Sequence, residues 1–383
     1  MSGTGPVVSG VSSRRDLKEF VELAYRLYAG DASWVPPLRS DVRWMLDTGK
    51  NPFWKHASRR LFLARRGERV VGRIAAIVDP EHNKVHQDRT AFFGFFECED
   101  DPEAARLLLD AAETAAREML PGCDKLRGPL NPSMNDEVGA LVPAESDPGP
   151  PVLMMTYNPA YYLDLFGGAG FVKEKDVVAI LAPASDHAFA RLSRIAEAAR
   201  RRDPKISTRM IRMDRFAEEL AVVKQLYNGA WEKNWGFVPM TSEEIDAMAK
   251  KLKPILYPPY VWFAEVDGTP AAFLLGIPDF NQVLIKLGGS LFPFGWLKFL
   301  RERKRIDRVR CMAFGVLPEY RKKGLDAILY HVSMNEGIKA GAKTVEFSWM
   351  LEDNASILRP LEVFGGKVYR RNRLVCRPVP SPS

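Results

Sequence analysis

The chain has 383 residues, enough for about two or three domains, and with 46% hydrophobic and 27% charged residues it can bury sizeable cores and is not disordered as a whole. Its 55 Lys and Arg exceed its 48 Asp and Glu by a margin that suits an anionic ligand or surface but is too small to imply nucleic acid. Cys98, Cys123, Cys311 and Cys376 are far apart with no CxxC pair, which excludes a zinc ribbon and a disulfide framework and leaves no metal site to expect. The N-terminus lacks a basic segment followed by an apolar one, and no apolar run approaches the roughly 18 residues of a membrane span, so the expected location is the cytoplasm.

Residues 1–12 and the tail RPVPSPS are rich in Gly, Pro and Ser and read as mobile ends. Ser13-x-x-Asp16 is a capping box, and Leu17, Phe20, Val21, Ala24, Leu27 and Tyr28 follow it at helical spacing up to Gly30. LFLARRGERVVGRIAAIVD (61–79) reads as a hairpin turning at Gly67; a strand at 90–98, a helix over 102–120 and a short strand near Lys125–Arg127 follow. The second half repeats this order, with the hairpin VWFAEVDGTPAAFLLGIPD (261–279), the strand CMAFGV (311–316), a helix from about Arg321 to Ala340 and the strand TVEFSW (344–349). Each half then closes with an Asn, a helix, a Gly turn and a last strand, at Asn158 to Gly170-Phe171 and at Asn354 to Gly365-Gly366. The series predicts an α+β fold of two tandem units, 13–183 and 207–376, joined through a helix over HAFARLSRIAEAARRRD, each unit a mixed, mostly antiparallel sheet flanked by helices.

GVLPEYRKKGLDAILY (315–330) is the most informative stretch. A strand ends at Val316, Pro318 breaks it, and a helix is expected to begin around Arg321-Lys322-Lys323-Gly324. A helix N-terminus directs unpaired N–H groups outward with partial positive charge, and three cations beside it suit a pyrophosphate. In this context the chain resembles the GNAT superfamily of N-acetyltransferases, whose V-x-P-x-x-R/Q-x-x-G-x-G/A motif is matched by Val316, Pro318, Arg321 and Gly324. The resemblance implies acyl-CoA or acetyl-CoA as co-substrate, held by Val316, Arg321, Lys322, Lys323, Gly324, Leu325, Asp326, Ala327 and Asn354. Asp326 departs from the motif's Gly or Ala, which leaves an acyl carrier protein thioester open as the donor. In the first unit the matching strand end reads FFGFFECEDDPEAARL, with Glu97, Glu99, Asp100, Asp101 and Glu103 where cations would be needed, so that unit is degenerate in phosphate binding and falls to the acceptor side.

Transfer of an acyl group from a thioester to an amine requires a group to take the ammonium proton, an N–H to polarise the carbonyl and an acid for the thiolate. The Tyr that the resemblance implies after Asn354 falls at Leu361. The unusual polar stretch is GPLNPSMNDEVGALV (128–142) with PVLMMTYNPAYYLDLF (151–166). It offers Glu137 or Asp136 as base or amine anchor, Tyr157 as donor to the leaving group, and Asn131, Asn135, Asn158 and Tyr161 as substrate ligands; NPSMNDE reads equally as a polar turn. His56 and His331 read as structural. Trp231, Trp235, Phe237 and Tyr257-Pro258-Pro259-Tyr260 read as core, or as a pocket for an acyl chain.

The resulting expectation is an acyl-CoA-dependent N-acyltransferase of a small-molecule or lipid amine, a sphingoid-type amine being suggested by resemblance to bacterial ceramide synthases. The alternative is a non-catalytic acyl-CoA-binding or regulatory module. In LGGSLFPFGWLKFLRERKRIDR (287–308), Leu291, Phe292, Phe294, Trp296, Leu297, Phe299 and Leu300 adjoin Lys298, Arg301, Arg303, Lys304, Arg305 and Arg308. The segment reads either as a helix packed on its own domain or as a peripheral contact with the inner face of an anionic membrane.

Overall fold

The computed structural model describes residues 5–147, 149–231 and 234–380, with the backbone alone for Asp186 and His187. The chain opens with β1 (Val7–Gly10), α1 (Arg14–Leu27), α2 (Arg39–Leu46), β2 (Ser58–Arg66), β3 (Arg69–Val78) and α3 (Pro80–His86). Next come β4 (Thr90–Cys98), α4 (Pro102–Met119), β5 (Lys125–Gly128), β6 (Leu130–Asn131), β7 (Glu137–Val138), β8 (Ala140–Leu141), α5 (Tyr162–Gly168) and β9 (Val172–Pro183). The remainder runs α6 (Asp186–Arg202), β10 (Ile206–Met210), α7 (Phe216–Trp231), α8 (Ser242–Leu252), β11 (Val261–Val266), β12 (Thr269–Pro278) and α9 (Asn281–Leu284). It ends with α10 (Gly295–Glu302), β13 (Arg308–Val316), α11 (Leu325–Lys339), β14 (Thr344–Leu351), α12 (Ala355–Val363) and β15 (Lys367–Pro378).

The local chemistry explains the boundaries. Ser13 and Asp16 bond each other's backbone N–H groups and start α1 as a full capping box. The hairpin β11–β12 turns on Asp267 and Gly268 at φ 55° and 76°, the left-handed pair that a two-residue turn matching strand twist demands.

The described chain forms two compact units. The first comprises residues up to Val177, Leu284–Trp296 and the chain from Arg370 onward; the second comprises Val178–Val283 and Leu297–Tyr369. In the first unit the strands lie in the order β1-β2-β3-β4-β5-β15, antiparallel except for the parallel pair β4–β5. In the second the order is β10-β11-β12-β13-β14, antiparallel except for the parallel pair β13–β14. Parts of both stretches expected to be mobile are paired instead: Val7–Gly10 with Phe62–Arg65, and Arg377 and Pro378 at the end of β15 with Leu126 and Lys125. Those edges would otherwise leave rows of backbone groups unpaired, which outweighs a Gly- and Pro-rich composition. Residues 1–4 and 381–383 of the same expectation lie outside the described residues.

The first core sits between the sheet and α4, whose buried face of Ala104, Ala105, Leu108, Leu109, Ala112 and Ala116 lets the helix lie close to Ile74, Ala76 and Phe93. Truncating Leu108 to Ala there costs about 2–5 kcal/mol. In the second unit α6 and α11 share one core, Leu192, Ala196 and Ala199 with Leu325, Ile328 and Leu329, over Ala264, Ala272 and Leu274. Leu226 of α7 joins a separate cluster with Phe263, Phe273 and Ala313.

Candidate active site

In the second unit β13 and β14 pair in parallel from Arg308↔Thr344 to Cys311↔Phe347, and that register ends there. A bulge against β12 between Leu275 and Gly276 leaves Met312 without an opposite residue, and β13 continues to Val316 in register with β12. Past Cys311 the strand has thus left its parallel partner. A short turn at Pro318–Tyr320 follows, then Arg321 in extended backbone. Lys322 (φ 65°) and Gly324 (φ 80°) are both left-handed, which delays α11 to Leu325, later than the expected start around Arg321–Gly324.

Gly324 is the N-cap of α11 and has no side chain to offer the N–H groups of Leu325, Asp326 and Ala327. A Cβ at Gly324 would stand 2.6 Å from Ala199 Cβ, so this glycine serves helix packing as well as the left-handed turn. Two of the three cations have protein partners. Arg321 donates to the Ala230 carbonyl at the end of α7 (2.8 Å), and Lys323 pairs with Asp203, the C-cap of α6 (3.0 Å), holding that carboxyl below its ordinary range. Lys322 is exposed and Asp326 half-buried in the first turn. Asn354 is the N-cap of α12 and accepts from the Ser356 hydroxyl (2.6 Å). Leu361 is 1% exposed and belongs to the core, so α12 offers no acid at that place.

The first unit closes the same features with its own chain. Asp101 caps α4 by accepting from the Ala104 N–H (3.1 Å), and Arg66 grips Asp101 through two bonds (2.7 and 3.0 Å) and Glu103 through a third (3.1 Å). Arg66 holds the Asp101 carboxyl below its ordinary range. The parallel pair β4–β5 covers only Thr90–Phe92, and the space beyond it is filled: a Cβ on Gly94 would lie 1.6 Å from the Leu130 carbonyl oxygen. The Asn131 amide oxygen accepts from the Phe95 N–H (2.6 Å), and its NH2 donates to Glu137 Oε2 (3.0 Å).

Asn131 and Glu137 are therefore brought together, as opposite residues of β6 and β7. Asp136 accepts from the Ser133 hydroxyl (2.6 Å), and the Asn135 N–H donates to the same hydroxyl (3.1 Å), which makes 133–136 a side-chain-bridged turn. The remaining expected residues bond elsewhere. Tyr157 donates to Asp31 (2.8 Å) and, through burial first and that carboxylate second, holds its proton up to about 12. Asn158 accepts from the Leu141 N–H (2.7 Å), and Tyr161 donates to the Cys98 carbonyl (2.8 Å). His56 pairs with Asp79 (3.2 Å) and His331 stacks on Phe189 (4.9 Å). Trp231 ends α7 against Tyr227, with ring centroids 4.5 Å apart, and Phe237 (6.0 Å).

No family model matches the chain. It is 32% identical over 369 residues to the Protein YghO of Escherichia coli (strain K12), an alignment covering 94% of this chain and 93% of that protein. It is 33% identical over 378 residues to the bacterial ceramide synthase of Caulobacter vibrioides, covering 95% of each. Among solved structures, a tandem GNAT protein from the clavulanic acid biosynthesis pathway superposes with a TM-score of 0.57 at 14% identity over 99% of both chains. A GCN5-related N-acetyltransferase from Sphaerobacter thermophilus gives 0.53 at 11% identity, over 99% of this chain and 97% of that one. The chain belongs to the family of the two relatives, YghO and the bacterial ceramide synthase, and its fold is that of the tandem GNAT proteins.

Two carboxyls of this GNAT-fold chain escape a reading of the sequence for sites. Glu346, on β14 opposite Arg310, is fully buried; Arg310 Nε lies 3.9 Å away and the Tyr369 hydroxyl 3.4 Å. Burial pushes this carboxyl up to about 7 against the pull of Arg310, and its Oε2 has no hydrogen-bond donor among the described residues. It stands one residue before the point where β13 and β14 part. Its only signal in the sequence is a lone acid inside the apolar run TVEFSW. Glu97 accepts from Tyr28 and Tyr162 (2.7 Å each) and from Arg73 (3.4 Å), and burial raises it too. The sequence counted it among the acids at the end of the first unit's strand; the structure keeps it on β4, bonded to two tyrosines and an arginine.

Proposed function

We propose that the chain is an acyl-CoA-dependent N-acyltransferase with one donor site, in its second unit, and a long-chain amine as acceptor. The observation that carries the donor assignment is the uncapped start of α11, with Val316 before it, Lys322 beside it and the N–H groups of Leu325, Asp326 and Ala327 facing outward. Arg321, Lys323 and Asn354 complete the proposed donor set, Arg321 and Lys323 by holding α7 and α6 against the turn. Beyond Cys311, backbone N–H groups of β13 with no β14 residue in register are the donors available to polarise a thioester carbonyl. Glu346 is the proposed proton acceptor: a carboxyl near pH 7 can take a proton from an alkylammonium through water and return it to the thiol.

On the acceptor side we propose the Asn131–Glu137 pair of the first unit as an amine anchor, with Asn135, Asp136, Asn158, Tyr157 and Tyr161 shaping its surroundings. The long-chain, sphingoid-type amine is supported by the relative that is named a bacterial ceramide synthase. A second reading, a non-catalytic acyl-CoA-binding module, draws support from Leu361 in the place of a Tyr acid. Thiol release from acyl-CoA on adding a long-chain amine, lost in Glu346→Gln with CoA affinity retained, supports catalysis. Binding of acyl-CoA without thiol release for any primary amine supports the second reading.

A further inference from the structure

The described residues include thirteen large hydrophobic side chains that are exposed, and five of them fall within residues 292–300: Phe292 (82%), Phe294 (73%), Trp296 (47%), Leu297 (50%) and Leu300 (43%). Single exposed apolar residues are ordinary, but five in so short a stretch form a patch. Local structure holds the patch outward. The Ser290 hydroxyl accepts from the Phe292 N–H (3.2 Å) and donates to the Phe292 carbonyl (3.0 Å), fixing a turn that presents the Phe292 ring. In α10, Phe299 stacks on Phe280 with centroids 5.5 Å apart, and Glu302 is buried against Arg301 (3.2 Å) and Arg305 (3.3 Å). With 299 and 302 turned inward, Leu297 and Leu300 lie on the far side of the helix and Trp296 on its flank, where an ordinary surface helix would be polar.

The charge beside the patch identifies its occupant. From 291 to 306 the acids number one, the buried Glu302, whereas Lys298, Arg301, Arg303, Lys304 and Arg305 are all exposed. A protein partner could cover the apolar face alone; an apolar face next to an almost acid-free basic rim matches a layer with hydrocarbon below and negative charge above. No helix of the described residues is long and apolar enough to cross a membrane, so the contact would be peripheral. The geometry points to 290–305 as a docking surface for an anionic lipid bilayer, with the Phe292, Phe294, Trp296, Leu297 and Leu300 side chains entering the headgroup layer and the basic residues resting on it. The inference stands apart from the identity of the acceptor, because binding is read without turnover.

The test is sedimentation of the full chain with vesicles of equal parts phosphatidylglycerol and phosphatidylcholine, against pure phosphatidylcholine. The wild type is expected to sediment with the anionic vesicles at low salt, to remain in solution with the neutral ones, and to be released at about 1 M salt, where the Debye length is about 3 Å. Arg303→Gln with Lys304→Gln should weaken partitioning about 30-fold, two charges at about 1 kcal/mol each. Phe292→Ser with Phe294→Ser and Trp296→Ser should weaken it at least as much. Their positions are exposed, so unchanged thermal unfolding serves as the folding control. No sedimentation of the wild type at low salt overturns the inference, as does a serine variant that sediments like the wild type. A serine variant that instead shifts from dimer to monomer in light scattering, with vesicle binding unaltered, assigns the patch to a second copy and equally overturns it.

Discussion

α4 and α11 hold the same place in their units: each follows the strand that enters the single parallel pair, and each begins within nine residues of that strand's end. α4 is closed by Asp101, which is itself gripped by Arg66, whereas α11 starts on a glycine with no cap and a cation beside it. The strands in front repeat the contrast. Past Phe92 the first unit brings Leu130 and Asn131 against β4, with the Asn131 amide on the Phe95 N–H; past Cys311 the β13–β14 register simply ends. Even the register positions differ in kind, Arg127 standing opposite Phe92 where Glu346 stands opposite Arg310. One scaffold can thus be kept for its packing in one unit while the other starts its helix without a side-chain cap, leaving the N–H groups that the proposed pyrophosphate site would use.

The largest effect that would break the comparison is at the strand acid. Glu346→Gln should lower kcat by about 10²- to 10⁴-fold with CoA affinity unchanged, as expected when a proton acceptor is removed. Wild-type kcat should rise with pH through about 7, the value to which burial pushes Glu346, and the variant should lose that limb. Retained turnover with the same profile would remove Glu346 from the chemistry. Smaller, but directed at the helix ends, is Lys322→Glu, which reverses the exposed charge beside α11 and should weaken CoA binding about 10- to 100-fold by calorimetry, from a charge-assisted contact of about 1.5–3 kcal/mol. Glu103→Lys, at the start of α4, should leave CoA affinity as it was.

Next comes stability. Asp101→Ala removes the α4 cap and should cost about 0.5–2 kcal/mol of unfolding free energy in denaturant titration, with no change in CoA affinity. Because Asp101 is held below 3.8, its contribution is present above that pH and fades as the pH falls through the depressed value. Glu346 carries the opposite sign. Its carboxyl is raised from 4.5 to about 7, so the folded chain binds the extra proton between those values and this group's contribution falls as the pH rises across that window. The Gln variant should show a flatter stability profile between about pH 4.5 and 7.

Much of this architecture was legible because period-2 and period-3.6 patterns are local: β4 spans the predicted 90–98, and the two hairpins turn at Gly67 and at Asp267-Gly268. The motif Val316 to Gly324 was legible for the same reason. What its cations touch was not, because Ala230 and Asp203 are 91 and 120 residues distant from their partners in sequence. The helix α7 was hidden behind its aromatic content; it packs apolar residues on more than one side, which blurs the single stripe that marks a surface helix. The pairing of β15 with β5 was equally unreadable, since alternation says that a segment is a strand and not which edge it joins. The polar residues of 128–162 stood out by type, yet Asn131, Asn158 and Tyr161 bond to backbone groups, a use that composition does not distinguish from ligand binding.

The central claim, one open unit and one closed, is tested most directly by calorimetric titration of the full chain with CoA. The account predicts one CoA per chain, with affinity lowered by Lys322→Glu and untouched by Asp101→Ala. Two CoA per chain, or a single site weakened by Asp101→Ala and indifferent to Lys322→Glu, would contradict it.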